Sequence, residues 1–197
     1  MIIQFVLNGI SLYPCGGCKI VFEYANRLSE RGHRVRILFN TEKVGNTHLC
    51  FLPNSIRFLL THQAVLHYPQ WFPLSEKVKK FSIRTIADTE VPDADIVVAT
   101  AVETAEPVFH LSRTKGNKLY LIQGYETWNN WTDEMVQRTY KLGMKNIVIT
   151  HWLKGIVCQS GAENVLIPNG VDFHVFYITC LLYTSDAADD LLCVDLG

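Results

Sequence analysis

The stretch from Met1 to Phe39 decides the fold class; it reads MIIQFVLNGISLYPCGGCKIVFEYANRLSERGHRVRILF. It opens on a mostly apolar run, which is typical of a buried β-strand. A loop with two glycines follows, and then apolar residues recur at the spacing of one helix face: Ile20, Val21, Tyr24, Ala25 and Leu28. Arg31 and Gly32 indicate the end of that helix. Val35 and Ile37 alternate with polar residues, so the stretch predicts a strand–helix–strand unit.

The rest of the chain repeats this alternation. Further strands are predicted at SIRFLL, ADIVVAT, NKLYLIQ, NIVIT and NVLIP. Helices are predicted at LSEKVKKFSIRTI, VETAEPVFHLS, TDEMVQRTYKLG and HWLKGIVCQSG, whereas the proline-containing segment from Thr41 to Pro73 is otherwise irregular. The alternation predicts an α/β, Rossmann-like fold, with a parallel sheet and helices on both faces. Ligands of such folds bind beyond the carboxyl ends of the strands.

The composition is that of a soluble globular protein. Of 197 residues, 48% are apolar and 19% are charged, which excludes a disordered chain. No apolar run approaches the roughly 18 residues that span a bilayer, and the first residues lack the basic region of a signal peptide. We therefore expect a cytoplasmic protein whose cysteines are thiols.

The last residues differ in character from the rest. CLLYTSDAADD and CVDLG, in the segment 180–197, contain four aspartates and no lysine or arginine. Both pieces match, in one frame, the translation of a transposon adapter used in sequencing libraries. We interpret 180–197 as adapter read-through and expect the natural sequence to stop near Thr179. Without this segment, 18 basic and 15 acidic residues leave a charge of +3, too small to predict a nucleic-acid partner.

The loop Tyr13–Lys19, YPCGGCK, has three possible roles. Cys15 and Cys18 form a Cys-x-x-Cys pair at a helix start, where a thiol pKa can be lowered. Alternatively, Gly16 and Gly17 let the backbone approach an anion at the helix N-terminus. The third possibility is a tight turn without a ligand, and the loop taken alone favours this interpretation.

Three motifs together resemble the glycosyltransferases of family four, which have the GT-B fold. These are the Gly-Gly loop after the first strand, L-x-x-R-G-H-x-V before the second, and the segment 167–172, IPNGVD, followed by Phe173. NIVITHWLKG also resembles the strand and helix that precede the last motif in that family. The resemblance covers residues 1–176.

The resemblance implies that 1–176 is the N-terminal, acceptor-side domain of a two-domain enzyme. The parent would transfer a sugar, with retention, from a nucleotide-sugar to an acceptor hydroxyl, in the synthesis of a surface polysaccharide or glycoconjugate. The C-terminal donor domain is missing, so we expect this chain to be inactive alone. Expected partners are the nucleotide-sugar as co-substrate and a sugar or lipid-linked acceptor. The family also implies no metal or other cofactor, and a cytoplasmic position, peripheral at the inner membrane face.

By resemblance, the donor- and acceptor-binding candidates are Gly16, Gly17, Gln123, Gly124 and Glu126. Gln123 stands where the family often has histidine, and a glutamine cannot act as a general base. The catalytic residue therefore stays unknown, with Gln123 and Glu126 as candidates. The interdomain hinge is predicted at Asn169, Gly170 and Asp172.

Other polar and aromatic residues have two interpretations each. Trp128 and Trp131 could stack on a sugar or cover the following helix. Asp93 and Asp95 match the letters of a metal-binding D-x-D, but they precede a strand and are interpreted as a turn. His151 is interpreted as a structural residue at a helix start.

Three rival functions remain open from the sequence. One is a GT-B enzyme of another type, such as a nucleotide-sugar epimerase. A second is a stand-alone Rossmann-like binding module without enzymatic activity. The third is a thioredoxin-like redox protein, which would use Cys15 and Cys18.

Overall fold

The computed structural model of the protein describes residues 1–11, 13–41, 53–128, 130–171 and 173. Seven strands are β1 (Ile2–Leu7), β2 (Arg34–Asn40), β3 (Lys79–Ile83), β4 (Ile96–Ala99), β5 (Asn117–Ile122), β6 (Lys145–Val148) and β7 (Asn164–Leu166). Five α-helices are α1 (Gly16–Glu30), α2 (Asn54–His67), α3 (Val102–His110), α4 (Asp133–Tyr140) and α5 (His151–Gln159). The segment 180–197, interpreted above as adapter read-through, lies outside the described residues.

The strands form one sheet in the order β3-β2-β1-β4-β5-β6-β7, and every adjacent pair is parallel. β1 is central, with Ile3 opposite Val35 of β2 on one side and Ile96 of β4 on the other. The chain therefore runs outward from β1 to β3 and then returns to start the other half at β4. This is the predicted parallel, Rossmann-like α/β architecture.

Helices cover both faces of the sheet, as predicted. Alternate side chains of β1 divide between two apolar clusters, with Phe5 in one and Val6 in the other. The α1 face is the one covered by α1 and α2, through Val21, Phe22, Ala25 and Val65. The α3 face is covered by α3, α4 and α5, through Val102, Ala105, Val108, Val136, Tyr140, Leu153 and Val157.

The prediction of a strand at SIRFLL is wrong, because these residues lie in α2. Among the α2 residues whose side chains the structure describes, Thr61 and Val65 are buried, and their spacing of one helical turn is the helical signal. The apolar residues that suggest a strand in a short window are instead exposed on the outside of the helix: Ile56, Leu59, Leu60 and Leu66. The apolar run in the sequence thus suggests a buried strand, whereas these four side chains are exposed in the fold.

The prediction of a helix over LSEKVKKFSIRTI is also wrong, because the segment contains the edge strand β3. Its partner is β2, with Ile37 opposite Lys80. The Lys80 ammonium donates to the backbone oxygens of Leu66 and Tyr68, so its charge ties the C-terminal end of α2 to the sheet. Lysines are common on edge strands, where they oppose pairing with a further chain. Pairing with β2 therefore overrides the local helical pattern.

The start of β5 lies unusually close to the start of β4. Gly116 has φ +95°, and a Cβ at this position would lie 2.4 Å from the carbonyl carbon of Asp95. The backbone oxygen of Asp95 accepts a hydrogen bond from Asn117 N, at 2.9 Å. The carboxylate of Asp95 accepts one from Ile2 N, at 2.6 Å. Residue 95 thereby links the starts of three neighbouring strands.

The described chain ends against α1. Residues 168–171 run beside Lys19, Glu23 and Arg27 and enclose a groove of about 460 Å³ with them. Asn169 and Gly170 of the predicted hinge are part of this segment, whereas Asp172 lies outside the described residues. The hinge itself stays a prediction. Within the described ranges, none of the helices has both the length and the apolar character that crossing a bilayer requires.

Candidate functional site

The order of the strands creates a topological switch point between β1 and β4. The chain leaves β1 towards α1, on one face, and leaves β4 towards α3, on the other. The two connections diverge and leave a crevice at the carboxyl ends of these strands, which is where ligands of open α/β sheets bind. We call the region between the N-termini of α1 and α3 the switch-point edge.

Two grooves on the surface are larger than the groove beside α1. Their volumes are about 570 and 690 Å³, and they are lined by residues at the starts of strands, among them Asn117 and Asn164. They therefore lie at the opposite, amino-terminal edge of the sheet. Since ligand chemistry in parallel sheets belongs to the carboxyl-terminal edge, we place the candidate site at the switch-point edge and not in these grooves.

Gln123 lies at the end of β5 and contacts the first turn of α1. Its Nε2 donates to the Gly17 oxygen over 3.2 Å. The same amide lies 3.6 Å from the position that a Cβ on Gly17 would occupy. The structure thus brings together two of the predicted site residues that are 106 positions apart in the chain. A glutamine used in this way positions the glycine turn.

Glu126, in the same loop, contacts the N-terminus of α3. Its Oε2 accepts a hydrogen bond from Val102 N at 2.6 Å. Burial raises the pKa of this carboxyl to about 7, and the negative charge of Glu103 adds to the rise, whereas the Val102 N–H opposes it. The carboxyl therefore gains and loses its proton near neutral pH, which is the range in which a general acid or base works best.

The glycines of the loops differ in their surroundings. Gly16 is exposed, and a Cβ there would meet nothing within 4 Å, so the first turn of α1 is open to solvent. A Cβ on Gly124 would lie 3.8 Å from the ring of Trp128. Of the predicted residues, the β5–α4 loop thus brings Gln123 to α1 and Glu126 to α3, with Gly124 between them. The switch-point edge is bridged by one loop.

Aromatic side chains border this loop. Trp128 is 54% exposed, whereas Trp131 packs against the core of the α3 face. Of the two interpretations given to this pair, Trp131 therefore has the covering position. Tyr125 contacts Trp152 of α5 edge to face, with 6.3 Å between ring centroids, and Trp152 is 63% exposed. Trp128 and Trp152 thus present flat apolar surface to solvent, of the kind that stacks on sugar rings.

The N-terminus of α3 depends on Thr104, which the sequence reasoning missed. Its Oγ1 accepts from Thr100 N at 3.0 Å and from Ala101 N at 3.1 Å, and it donates to the Ala101 oxygen at 2.8 Å. A threonine in the first turn after the apolar strand was the available signal, since hydroxyls at this position satisfy free backbone N–H groups. Thr104 therefore orients the peptide groups beside Glu126.

Replacing Thr104 with valine is expected to lower the free energy of unfolding by about 2 kcal/mol. Valine keeps the shape but leaves the buried Thr100 N–H and the half-buried Ala101 N–H without their acceptor. Urea denaturation of the two proteins measures the difference. Thr89→Val, at an exposed position in the turn between β3 and β4, is the control and is expected to stay within about 0.5 kcal/mol of the original. Equal losses in both variants would contradict the capping role.

The thiols at the start of α1 are close together. Cys15 precedes the helix in an extended conformation and accepts a hydrogen bond from Cys18 N, at 3.3 Å. The two Sγ atoms are 2.8 Å apart. Burial, together with the contact with Cys15, raises the pKa of the Cys18 thiol to about 12. Cys18 is therefore a neutral thiol at pH 7 and not the activated thiolate of a redox catalyst.

Both aspartates of the D-x-D letters make structural contacts. The Asp93 carboxylate bonds the Lys115 ammonium at 2.8 Å, which lowers its pKa, and Asp95 bonds Ile2 N as described above. They lie at the amino-terminal edge of the sheet, remote from the switch-point edge. Among the residues that the structure describes, no three His, Cys, Asp or Glu side chains come together as a candidate metal site.

His151 begins α5, as interpreted from the sequence. The residue before it, Thr150, caps the helix by accepting from Leu153 N at 3.1 Å. Nothing in these contacts gives His151 a chemical role. Comparison of the chain with known proteins adds no assignment: no protein-family model matches it, and no curated protein does.

Proposed function

We propose that this chain is the acceptor-side domain of a retaining GT-B glycosyltransferase. The parent enzyme would move a sugar from a nucleotide-sugar to an acceptor hydroxyl, in the assembly of a surface polysaccharide or glycoconjugate. The observation that carries the proposal is the loop that spans the switch-point edge, because it joins Gln123 to the N-terminus of α1 and Glu126 to that of α3. The sequence motifs from Gly16 to IPNGVD supply the choice of family.

In this proposal, Glu126 binds the acceptor. Its carboxyl has a pKa of about 7, so at neutral pH a large fraction is ionised and can accept a hydrogen bond from a sugar hydroxyl. The exposed rings of Trp128 and Trp152 would bind the apolar face of the acceptor. Gln123 would act indirectly, through the position of Gly17.

The start of α1 faces the donor in this proposal. Breaking the bond between the sugar and the nucleotide leaves negative charge on a diphosphate, which backbone N–H groups and helix N-termini stabilise. The turn formed by the exposed Gly16 and the half-buried Gly17 would supply such groups. The remaining contacts to the nucleotide-sugar would come from a second domain that follows IPNGVD. The enzyme would work in the cytoplasm, peripheral at the inner membrane face, where lipid-linked acceptors are available.

The first test is to sequence the source locus through Phe176 and beyond. We expect the frame to continue for a further domain of about 100–200 residues, with alternating strands and helices and a spaced pair of glutamates. A stop codon within a few residues of Thr179 would contradict the proposal and favour a stand-alone binding module.

The longer protein then allows an assay of transfer. It is expected to consume one of a panel of UDP-, GDP- or ADP-hexoses in the presence of a sugar or lipid-linked acceptor, whereas the 197-residue chain is expected to show no turnover. Glu126→Gln in the longer protein is expected to lower kcat/KM by roughly 10²-fold. Glu163→Gln, at an exposed position before β7, is the matched control. Full activity of Glu126→Gln, or loss in both variants, would remove the acceptor role of Glu126.

A further inference from the structure

The two thiols before and within the first turn of α1 are placed for a bond to each other. Their Sγ atoms are 2.8 Å apart, and a disulfide needs about 2.05 Å. Closing the bond therefore requires a movement of less than about 1 Å. Both cysteines are half-buried, and the neighbouring Tyr13, Pro14 and Gly16 are exposed. A small oxidant can thus reach Cys15 from solvent.

The local backbone also tolerates the bond. The two cysteines are separated by Gly16 and Gly17, and a Cβ on Gly16 would meet nothing within 4 Å, so the turn is not crowded. Cys158, the other cysteine within the described ranges, is exposed on α5, which packs on the α3 face, whereas Cys18 packs on the α1 face. The sheet therefore separates Cys158 from the pair.

We propose that Cys15 and Cys18 form a reversible intramolecular disulfide, with low-molecular-weight disulfides of the glutathione type as the oxidant. The first turn of α1 is then a thiol–disulfide couple, and this holds whether or not the chain belongs to a glycosyltransferase. Oxidation closes a covalent ring around Gly16 and Gly17, and it fixes the helix start that contacts Gln123 through the Gly17 oxygen.

The reaction balances as two exchange steps. The Cys15 thiolate attacks one sulfur of glutathione disulfide, forms a mixed disulfide and releases one glutathione thiolate. The Cys18 thiolate then attacks the Cys15 sulfur, forms the Cys15–Cys18 bond and releases the second glutathione. The two protein protons end on the two glutathione molecules.

The test uses the intact 197-residue chain in a series of ratios of oxidised to reduced glutathione. Each sample is quenched with acid, alkylated with N-ethylmaleimide under denaturing conditions and digested with trypsin. Lys19 is the first basic residue, so the peptide Met1–Lys19 contains Cys15 and Cys18 and no other cysteine. We expect it to change, in one transition, from the doubly alkylated form to an unalkylated form. The mass of that form is two hydrogens below the mass of the reduced, unalkylated peptide. Dithiothreitol is expected to reverse the change.

Two variants sharpen the result. Cys158→Ser is expected to leave the transition unchanged, whereas Cys18→Ser is expected to stop at a mixed disulfide between Cys15 and glutathione. The proposal is overturned if Met1–Lys19 stays doubly alkylated at every ratio. It is equally overturned if the wild-type peptide ends as a glutathione adduct, or is linked to a peptide that contains another cysteine.

Discussion

Gly116→Ala is expected to lower the free energy of unfolding by about 2–5 kcal/mol. The residue has φ +95°, which costs a non-glycine residue about 1–2 kcal/mol. The added Cβ would also lie 2.6 Å from the Asp95 oxygen, and crowding of this kind costs about 1–3 kcal/mol more. The atoms that the Cβ would contact belong to the backbone and not to a flexible side chain. The crowding can therefore be relieved only if the starts of β4 and β5 separate. Urea denaturation followed by circular dichroism measures the loss.

Gly143→Ala is the matched control. This glycine has φ +90°, yet a Cβ there would meet nothing within 4 Å. The variant therefore carries the conformational cost alone, and we expect a loss of about 1–2 kcal/mol. If the two variants lose the same stability, the close approach of Gly116 to Asp95 is not what selects glycine there.

Glu126→Gln is expected to stabilise the protein at alkaline pH. Folding raises the pKa of this carboxyl from the ordinary 4.5 to about 7, so the folded state binds the proton more tightly than the unfolded state. The free energy of unfolding consequently falls as the pH rises from about 4.5 to about 7, by about 3 kcal/mol. Glutamine is uncharged at every pH and keeps an oxygen for the Val102 N–H, so the variant avoids this loss.

The measurement is the difference in unfolding free energy between Glu126→Gln and the original protein, at pH 5 and at pH 8. We expect the advantage of the variant to grow by about 2 kcal/mol between the two. Glu163→Gln, exposed to solvent, is the control for a general effect of charge. A difference that does not depend on pH would show that the Glu126 carboxyl is already ionised at pH 5 in the folded protein.

The parallel α/β sheet could be predicted because most of its strands are short apolar runs between helical patterns. Strands such as IIQFVL and IVVA are buried on both faces, and their nearly continuous apolar sequence indicates this burial. The two wrongly predicted elements both lie near the edge of the sheet that β3 forms, next to β2. There, Leu59 and Leu60 are exposed although apolar, and Lys80 belongs to a strand although its neighbours suggest a helix. Pairing and packing against distant residues decide such segments, and a local pattern does not contain them.

The candidate site was predictable in part. The residues after β5 could be singled out because strand ends carry ligand chemistry in this fold class. Their contacts could not, since the bonds from Gln123 to Gly17 and from Glu126 to Val102 join residues far apart in the chain. Thr104 was missed although its place in the first turn of α3 was an available signal, because only the folded chain shows its three hydrogen bonds. The raised pKa of Glu126 depends on burial, which only the folded chain provides.

The central position of β1 has a consequence for how the chain folds. One edge of β1 pairs with β2, where Ile3 lies opposite Val35, which is near in sequence. The other edge can pair only once Ile96 of β4 has been synthesised. During synthesis, a nascent chain that ends before Ile96 exposes one edge of this apolar strand. Closing so long a loop is entropically slow, and unpaired strand edges are prone to aggregate. We therefore expect truncations before Ile96 to be insoluble, and a translational pause in the segment 41–95 to lower the yield of folded protein.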